Sequence, residues 1–384
     1  MDKQVDAIVV GAGIAGSSTA IQLARSGHRT LLLDRQLFPR HKTCGEFMSP
    51  ETQEMLEFLG VDLLKHHVKP IMMNKACIYM PRGGEINVPL PGSAWGISRY
   101  ELDHLLHQKA LSAGAQLITK ATVIGIELLD NEQYRVDIRQ GSHTASYYAK
   151  AVIGAYGTRK PKGVIHTEQN YRDEVVYVGL KSHYTGVEAG AQVELYFCDG
   201  GYTGISPVPN GMVNVAALLT RDVTQSSGKS VQDILKIASR TNPKLAARLN
   251  NAVLVPGTQV SIAPVRLSDI PEPWSTFPHV GDALLMIPPL CGDGMSVALR
   301  SSILCSNATD RYLHGEITYN EWKSEYTEKA NHEFVKLLKR ARMIQKLAFV
   351  KANRLYPGIA RIFPGLATYV VKSTRLAEAE LNRF

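Results

Sequence analysis

Residues 5 to 35, VDAIVVGAGIAGSSTAIQLARSGHRTLLLDR, constrain this chain more than any other stretch. Val5 to Val10 is a short apolar run with β-branched residues, the pattern of a buried strand. Gly11, Gly13 and Gly16 follow in the spacing G-x-G-x-x-G. The first glycine permits a tight turn, the second lets a pyrophosphate approach the backbone, and the third lets the next helix lie close on the strand. From Ile14 to Ser26 apolar residues recur at helical spacing, and Gly27 can end that helix in the left-handed conformation. Arg29 to Leu33 is a second buried strand. It ends in Asp34, where a carboxylate can hold the ribose hydroxyls of an adenosine. Strand, turn, helix, strand and acid together predict a dinucleotide-binding unit, with Ile14, Ala15 and Arg35 in the same candidate set. NAD and FAD share this unit, so these residues do not choose between them.

At 384 residues the chain can bury a large core and is long enough for two lobes. A net charge of +8 favours acidic ligands or anionic surfaces, but it is too diffuse to argue for nucleic acid. Met1 to Gln4 run directly into the first strand, so no leader peptide is expected. No apolar run is long enough to span a bilayer. The five cysteines (Cys44, Cys77, Cys198, Cys291 and Cys305) are scattered, suit no metal-ligand spacing and suggest no disulfide framework. A reducing cytoplasm is the simplest setting. His41, His66, His67 and His104 likewise form no metal or triad spacing.

After Asp34 comes a polar loop, Arg35 to Glu46, and then a helix over Pro50 to Leu59. Residues 71 to 97 read as short strands with turns at Pro81–Gly84 and Pro91–Gly92. Ser98 stands three residues before Glu101, a capping box, and opens a helix with Arg99 at its first position, pointing out of the N-terminus. Strand-like segments over 115 to 154 form a small meander before the chain returns to the parallel sheet. Strands dominate 171 to 270, with one helix over Val231 to Asn250. Val280 to Met286 reads as another buried strand, Gly294 to Tyr312 as a helix, and Glu321 to Asn353 as a long helix, basic from Lys336 onward.

Three further pieces join the first: Ser98-Arg99-Tyr-Glu-Leu-Asp103; Gly154-Ala-Tyr-Gly157 at a strand end; and Gly281-Asp282-Ala283 followed by Ile287-Pro288-Pro289 and Gly292-Asp-Gly294-Met295. Over roughly the first 310 residues this set resembles the FAD-binding signature of the single-FAD-domain monooxygenases and the related geranylgeranyl reductases and flavin halogenases. The resemblance implies an α/β fold: a glutathione-reductase-type FAD-binding domain with parallel sheet and meander, a mainly antiparallel β substrate lobe, and C-terminal helices. It assigns residues 1–75, 98–170 and 271–330 to the FAD domain, 76–97 and 171–270 to the lobe, and 331–384 to a helical tail. It adds Arg99, Val123, Gly157, Gly281, Asp282, Pro289, Gly292, Gly294 and Met295 to the cofactor residues, with Cys44 and Gly45 in a loop near the flavin. The helix opened by Gly292-Asp-Gly294 would turn its positive end to the flavin. One departure is Tyr156, which stands where the family usually has an acid associated with both FAD and NAD(P)H.

Only one dinucleotide fingerprint is present. NADH or NADPH would therefore bind transiently over the flavin, unless another reductase supplies the electrons. Halogenases carry Trp-x-Trp-x-Ile-Pro, which is missing here. Lys42-Thr-Cys44-Gly45-Glu46 is similar to a loop of the geranylgeranyl reductases. That loop and Gly201-Tyr-Thr-Gly-Ile-Ser-Pro207 look closest to hydroxylases found with type III polyketide synthases. The resemblance then implies hydroxylation of a phenolic, apolar substrate with O2, through a flavin C4a-hydroperoxide; reduction of lipid alkenes and a non-catalytic FAD-bound or apo scaffold are the alternatives. No catalytic residue is assigned. Cys44, Tyr202, Met212 and Pro289 are candidate pocket residues, as is Tyr196, each also readable as packing. Cys291 falls near the flavin by position, with packing the other reading. The basic, apolar-studded tail fits either a helix packed on the FAD domain or peripheral membrane contact.

Overall fold

The computed structural model describes residues 3–65, 68–81, 83–161, 175–225, 230–350, 353 and 355–376. His66 and His67 lie outside the described residues. Ala7–Val10 and Thr30–Leu33 pair in parallel, with every residue buried, because a sheet covered on both faces admits only continuous apolar strands. Gln116–Ile118 and Ala151–Gly154 complete a four-stranded parallel sheet at its two edges. Between these last two strands runs the antiparallel meander Thr122–Leu128, Tyr134–Gln140 and His143–Ala149. The helices Ile14–Arg25, Arg99–Ser112 and Gly294–Leu313 cover the sheet and share one apolar core with the front of Tyr319–Ala348.

The second layer is a nine-stranded, mainly antiparallel sheet. Its members include Tyr177–Thr185, Gln192–Cys198, Gly201–Val208 and Met212–Thr220. Ile71–Tyr79 and Glu85–Gly96 join the same sheet as two long strands. Pro91 and Gly92 therefore lie within a strand and not in a turn; proline is tolerated there because the pairing with Ile71–Tyr79 skips a register between Met73 and Lys75. Val231–Asn250 breaks into two helices, Val231–Thr241 and Pro243–Arg248, at Asn242, which caps the second.

The buried strand expected over Val280 to Met286 is not formed. Chain 278–280 makes only isolated bridges, His279 to Gly154 and Pro278 to Trp274, and Gly281, at φ +61, then turns the backbone into a single turn of 3-10 helix. Gly154 sits under Phe277 and His279 with no room for a side chain, which is what admits this fifth edge.

Candidate active site

Gly11 takes φ +108 and donates its N–H to Leu33 O at 2.7 Å. A methyl group there would lie 2.3 Å from the Ala155 carbonyl oxygen, and one on Gly16 would lie 1.8 Å from the Gly11 carbonyl oxygen. These two glycines hold turn, helix and sheet together from behind and are not on the cavity wall. Gly13 is different. It faces a cavity of about 810 Å³ that runs between the parallel sheet and the large sheet.

Two cations converge on Gly13. A methyl on it would stand 3.8 Å from Lys42 Nζ and 3.9 Å from Arg99 Nη2. Arg99 is buried and does not point out of its helix: it folds back to donate two hydrogen bonds to Asp103, at 2.7 and 2.9 Å. The helix is capped by Ser98 Oγ, which accepts from the N–H of Tyr100 and not from Glu101. Lys42 makes no hydrogen bond or ion pair among the described residues. Burial, with Arg99 close by, pulls its ammonium below the usual range. An unpartnered cation beside the positive N-terminus of a helix is an anion site.

Asp34 is buried, and its oxygens are engaged: Oδ2 accepts from Ala12 N at 2.9 Å and from Arg40 at 3.2 Å, and Oδ1 accepts from Gln36 N at 2.8 Å. Its neighbours Arg35 and Gln36 line the cavity instead. The structure brings Ile14, Ala15, Cys44, Gly45, Gly157, Gly281, Asp282, Pro289, Gly292, Gly294 and Met295 onto the same wall, although they are spread from residue 14 to residue 295. Tyr156 lines it too, with its hydroxyl 3.0 Å from His279 Nε2. Val123 is not there; its side chain is packed in the core under the meander.

Of the pocket candidates, Cys44, Tyr202 and Pro289 line the cavity. Met212 does not: it pairs with Val208 at the hairpin end. Tyr196 is also excluded. Its hydroxyl donates to Glu194 at 2.6 Å and its ring stacks on Tyr79 at 4.7 Å. Successive strand residues face opposite sides, so Phe197 and Tyr202, which pair across strands, take the cavity face and leave Tyr196 on the other. Cys291 also lines the cavity, and burial pushes its thiol upward.

The loop Arg35 to Glu46 holds a feature that spacing did not reveal. Glu46 takes φ +53 and is fully buried. Its Oε1 accepts from Lys181 Nζ at 2.8 Å and from the Arg99 N–H at 2.9 Å. His183 Nε2 lies 2.6 Å from its Oε2. Burial would push this carboxyl up, but the His183 hydrogen bond and the Lys181 charge outweigh it and hold it below the usual range. Lys181 also reaches His41 Nδ1 at 3.2 Å. His41 lines the cavity, and burial, Lys181 and His183 push it down to about 4. Lys181 and His183 lie on a far strand, so no local signal linked them to Glu46.

Among the described residues, His28, Asp310 and His314 are close enough to share a metal ion, but none lines the cavity; His28 Nε2 lies 2.6 Å from Asp310. The five cysteines are unpaired.

The sequence profile of the family described as FAD binding domain matches residues 4–266, more than half of the chain. The chain belongs to that family. It is 25% identical over 331 residues to the menaquinone reductase of Mycobacterium tuberculosis, covering 81% of this chain and 78% of that one. It is 24% identical over 379 residues to the digeranylgeranylglycerophospholipid reductase of Methanococcus vannielii, covering 94% and 91%. The fold is shared with the flavin-dependent brominase Bmp2, at TM-score 0.76 and 17% identity over 97% of this chain and 93% of that one. The residues present fit FAD: Gly13, Lys42 and Arg99 form an anion cradle, and an apolar cavity continues beyond it. FAD makes the chain an oxidoreductase, with the ring system supplying electron transfer and the protein supplying position and exclusion of water.

Proposed function

We propose that this FAD-dependent oxidoreductase is a monooxygenase that hydroxylates the ring of an apolar, phenol-bearing substrate of polyketide type. NADH or NADPH is the electron donor, and O2 supplies the added oxygen; its other atom leaves as water. The observation that carries this reading is His41 on the cavity wall, backed by Lys181. A lysine ammonium can only donate, so Nδ1 of His41 accepts and Nε2 keeps its hydrogen. His41 thereby offers an N–H donor, reinforced by a buried cation, to an oxygen in the cavity. Such a donor favours a phenolate, the electron-rich form that ring hydroxylation needs. Lys42 and Arg99 hold the pyrophosphate. Ile78, Leu195 and Phe197, with other apolar side chains, keep the cavity dry.

A second reading, reduction of an isoprenoid alkene, is favoured by the two reductases among the relatives. Oxygen separates the two. With an alkyl-substituted resorcinol and NAD(P)H, the monooxygenase consumes O2 in step with substrate and yields a product heavier by one oxygen atom. Turnover of an isoprenoid substrate under nitrogen, with no substrate-dependent oxygen uptake, would overturn the first reading in favour of the second. A purified chain that takes up no FAD would leave only a scaffold role.

A further inference from the structure

The C-terminal segment combines three properties that no other part of the chain shares among the described residues. The first is exposed apolar surface. Nine of the eighteen large apolar side chains exposed among the described residues fall between Met343 and Tyr369. On the short helices Tyr356–Ile362 and Pro364–Ser373, Ile362 is 71% exposed, Phe363 62% and Tyr369 70%. Exposed apolar residues scattered singly need no explanation, but a contiguous group marks an interaction surface.

The second is charge. Residues 334 to 377 carry ten Lys and Arg and no Asp or Glu. The whole chain is +8, so everything outside this segment sums to −2. Lys336, Lys339, Arg340, Lys346, Arg361 and Lys372 are all exposed.

The third is position. Met343, Leu347, Ile359, Leu366 and Tyr369 are exposed and also line the cavity. They are its rim. A cavity that drew its substrate from water would gain nothing from an apolar rim, which is costly to keep hydrated.

We propose that this segment docks on the surface of an anionic lipid bilayer, so that an apolar substrate passes from lipid to cavity without crossing water. No helix among the described residues is long and apolar enough to span a membrane, so the contact is with the surface. Apolar side chains enter the interface while the surrounding cations meet acidic headgroups. Charge also decides against a second copy of this chain as the occupant, since two strongly cationic faces repel each other. The proposal deepens the reading of an apolar substrate and rests on it.

The test is flotation of the full-length, FAD-loaded protein with vesicles of phosphatidylcholine alone and of phosphatidylcholine with phosphatidylglycerol. The expected result is at least about tenfold stronger binding to the anionic vesicles, weakened by salt. The double variant I362D/F363D, whose side chains lie off the cavity wall, should lose binding to both vesicle types. It should keep its melting temperature and its turnover of a detergent-dispersed substrate. R361Q/K372Q should lose only the preference for anionic lipid. The proposal is overturned if the wild-type chain stays in the aqueous fraction, if I362D/F363D binds equally well, or if sedimentation shows a dimer that this variant dissolves. Flotation needs no turnover, so its outcome is independent of whether the substrate is hydroxylated or reduced.

Discussion

Lys181 Nζ stands 2.8 Å from Glu46 Oε1, and neither side chain is exposed to solvent. One residue belongs to the loop that follows the dinucleotide unit, the other to a strand of the large sheet. The pair therefore fastens the cofactor half of the cavity to the substrate half. Removing one partner of a buried pair strands the other charge. Lys181→Met should cost about 3–5 kcal/mol by urea denaturation, and the double variant K181M/E46Q should recover part of that loss. A loss in the double variant equal to the sum of the two single losses would show that the pair is not coupled.

Lys42 stands beside Gly13 and makes no hydrogen bond or ion pair among the described residues. A charged hydrogen bond to phosphate contributes about 1.5–3 kcal/mol. Lys42→Ala should weaken FAD binding roughly ten- to a hundredfold. Titration of the apoprotein followed by flavin fluorescence measures it. Affinity unchanged by the substitution would move the phosphate away from this cradle.

Gly16→Ala places a methyl group 1.8 Å from the Gly11 carbonyl oxygen. Backbone cannot step aside as a flexible side chain would, so the helix must lift from the turn. The expected outcome is a loss of about 1–3 kcal/mol in stability and a lower ratio of flavin to protein absorbance after purification. Wild-type values for both would mean that the helix is not seated on the turn.

Two groups near the cavity make stability depend on pH with opposite signs. His41 titrates at about 4 in the folded chain against 6.5 when unperturbed, so the unfolded chain binds more protons between those values and stability falls as pH drops from 6.5 to 4. Asp293 is pushed up to about 7 from 3.8 by burial, against the opposing charge of Arg375, so the folded chain binds more protons there and stability falls as pH rises from 3.8 to 7. His41→Asn should lower the slope of melting temperature against pH in this window, and Asp293→Asn should raise it. Two variants with parallel profiles would remove both groups from the linkage.

Asp293 also accepts a hydrogen bond from Arg375, which in turn donates to Cys291 O at 3.1 Å. The loop that precedes the Gly294 helix is thus tied to the end of the C-terminal segment. Arg375→Ala should free that end, raising its amide hydrogen exchange while leaving the parallel sheet protected.

The residues close in sequence were legible from sequence alone. Gly11, Gly13 and Gly16 between two apolar runs dictate a strand, a turn and a helix, because backbone freedom and apolar periodicity are local properties. The Gly281 to Met295 element was read through its family resemblance, although Gly281 and Gly292, both at positive φ, do need glycine where they stand. The strand expected over Val280 to Met286 failed because apolarity does not distinguish a strand from a buried turn. Tyr196 and Tyr202 could not be told apart until sheet register assigned them to opposite faces. Meetings between distant residues belong to tertiary structure alone. Glu46 with Lys181, Lys42 with Gly13, and Tyr369 with the cavity rim are each set by how two layers pack, and no spacing along the chain encodes that distance.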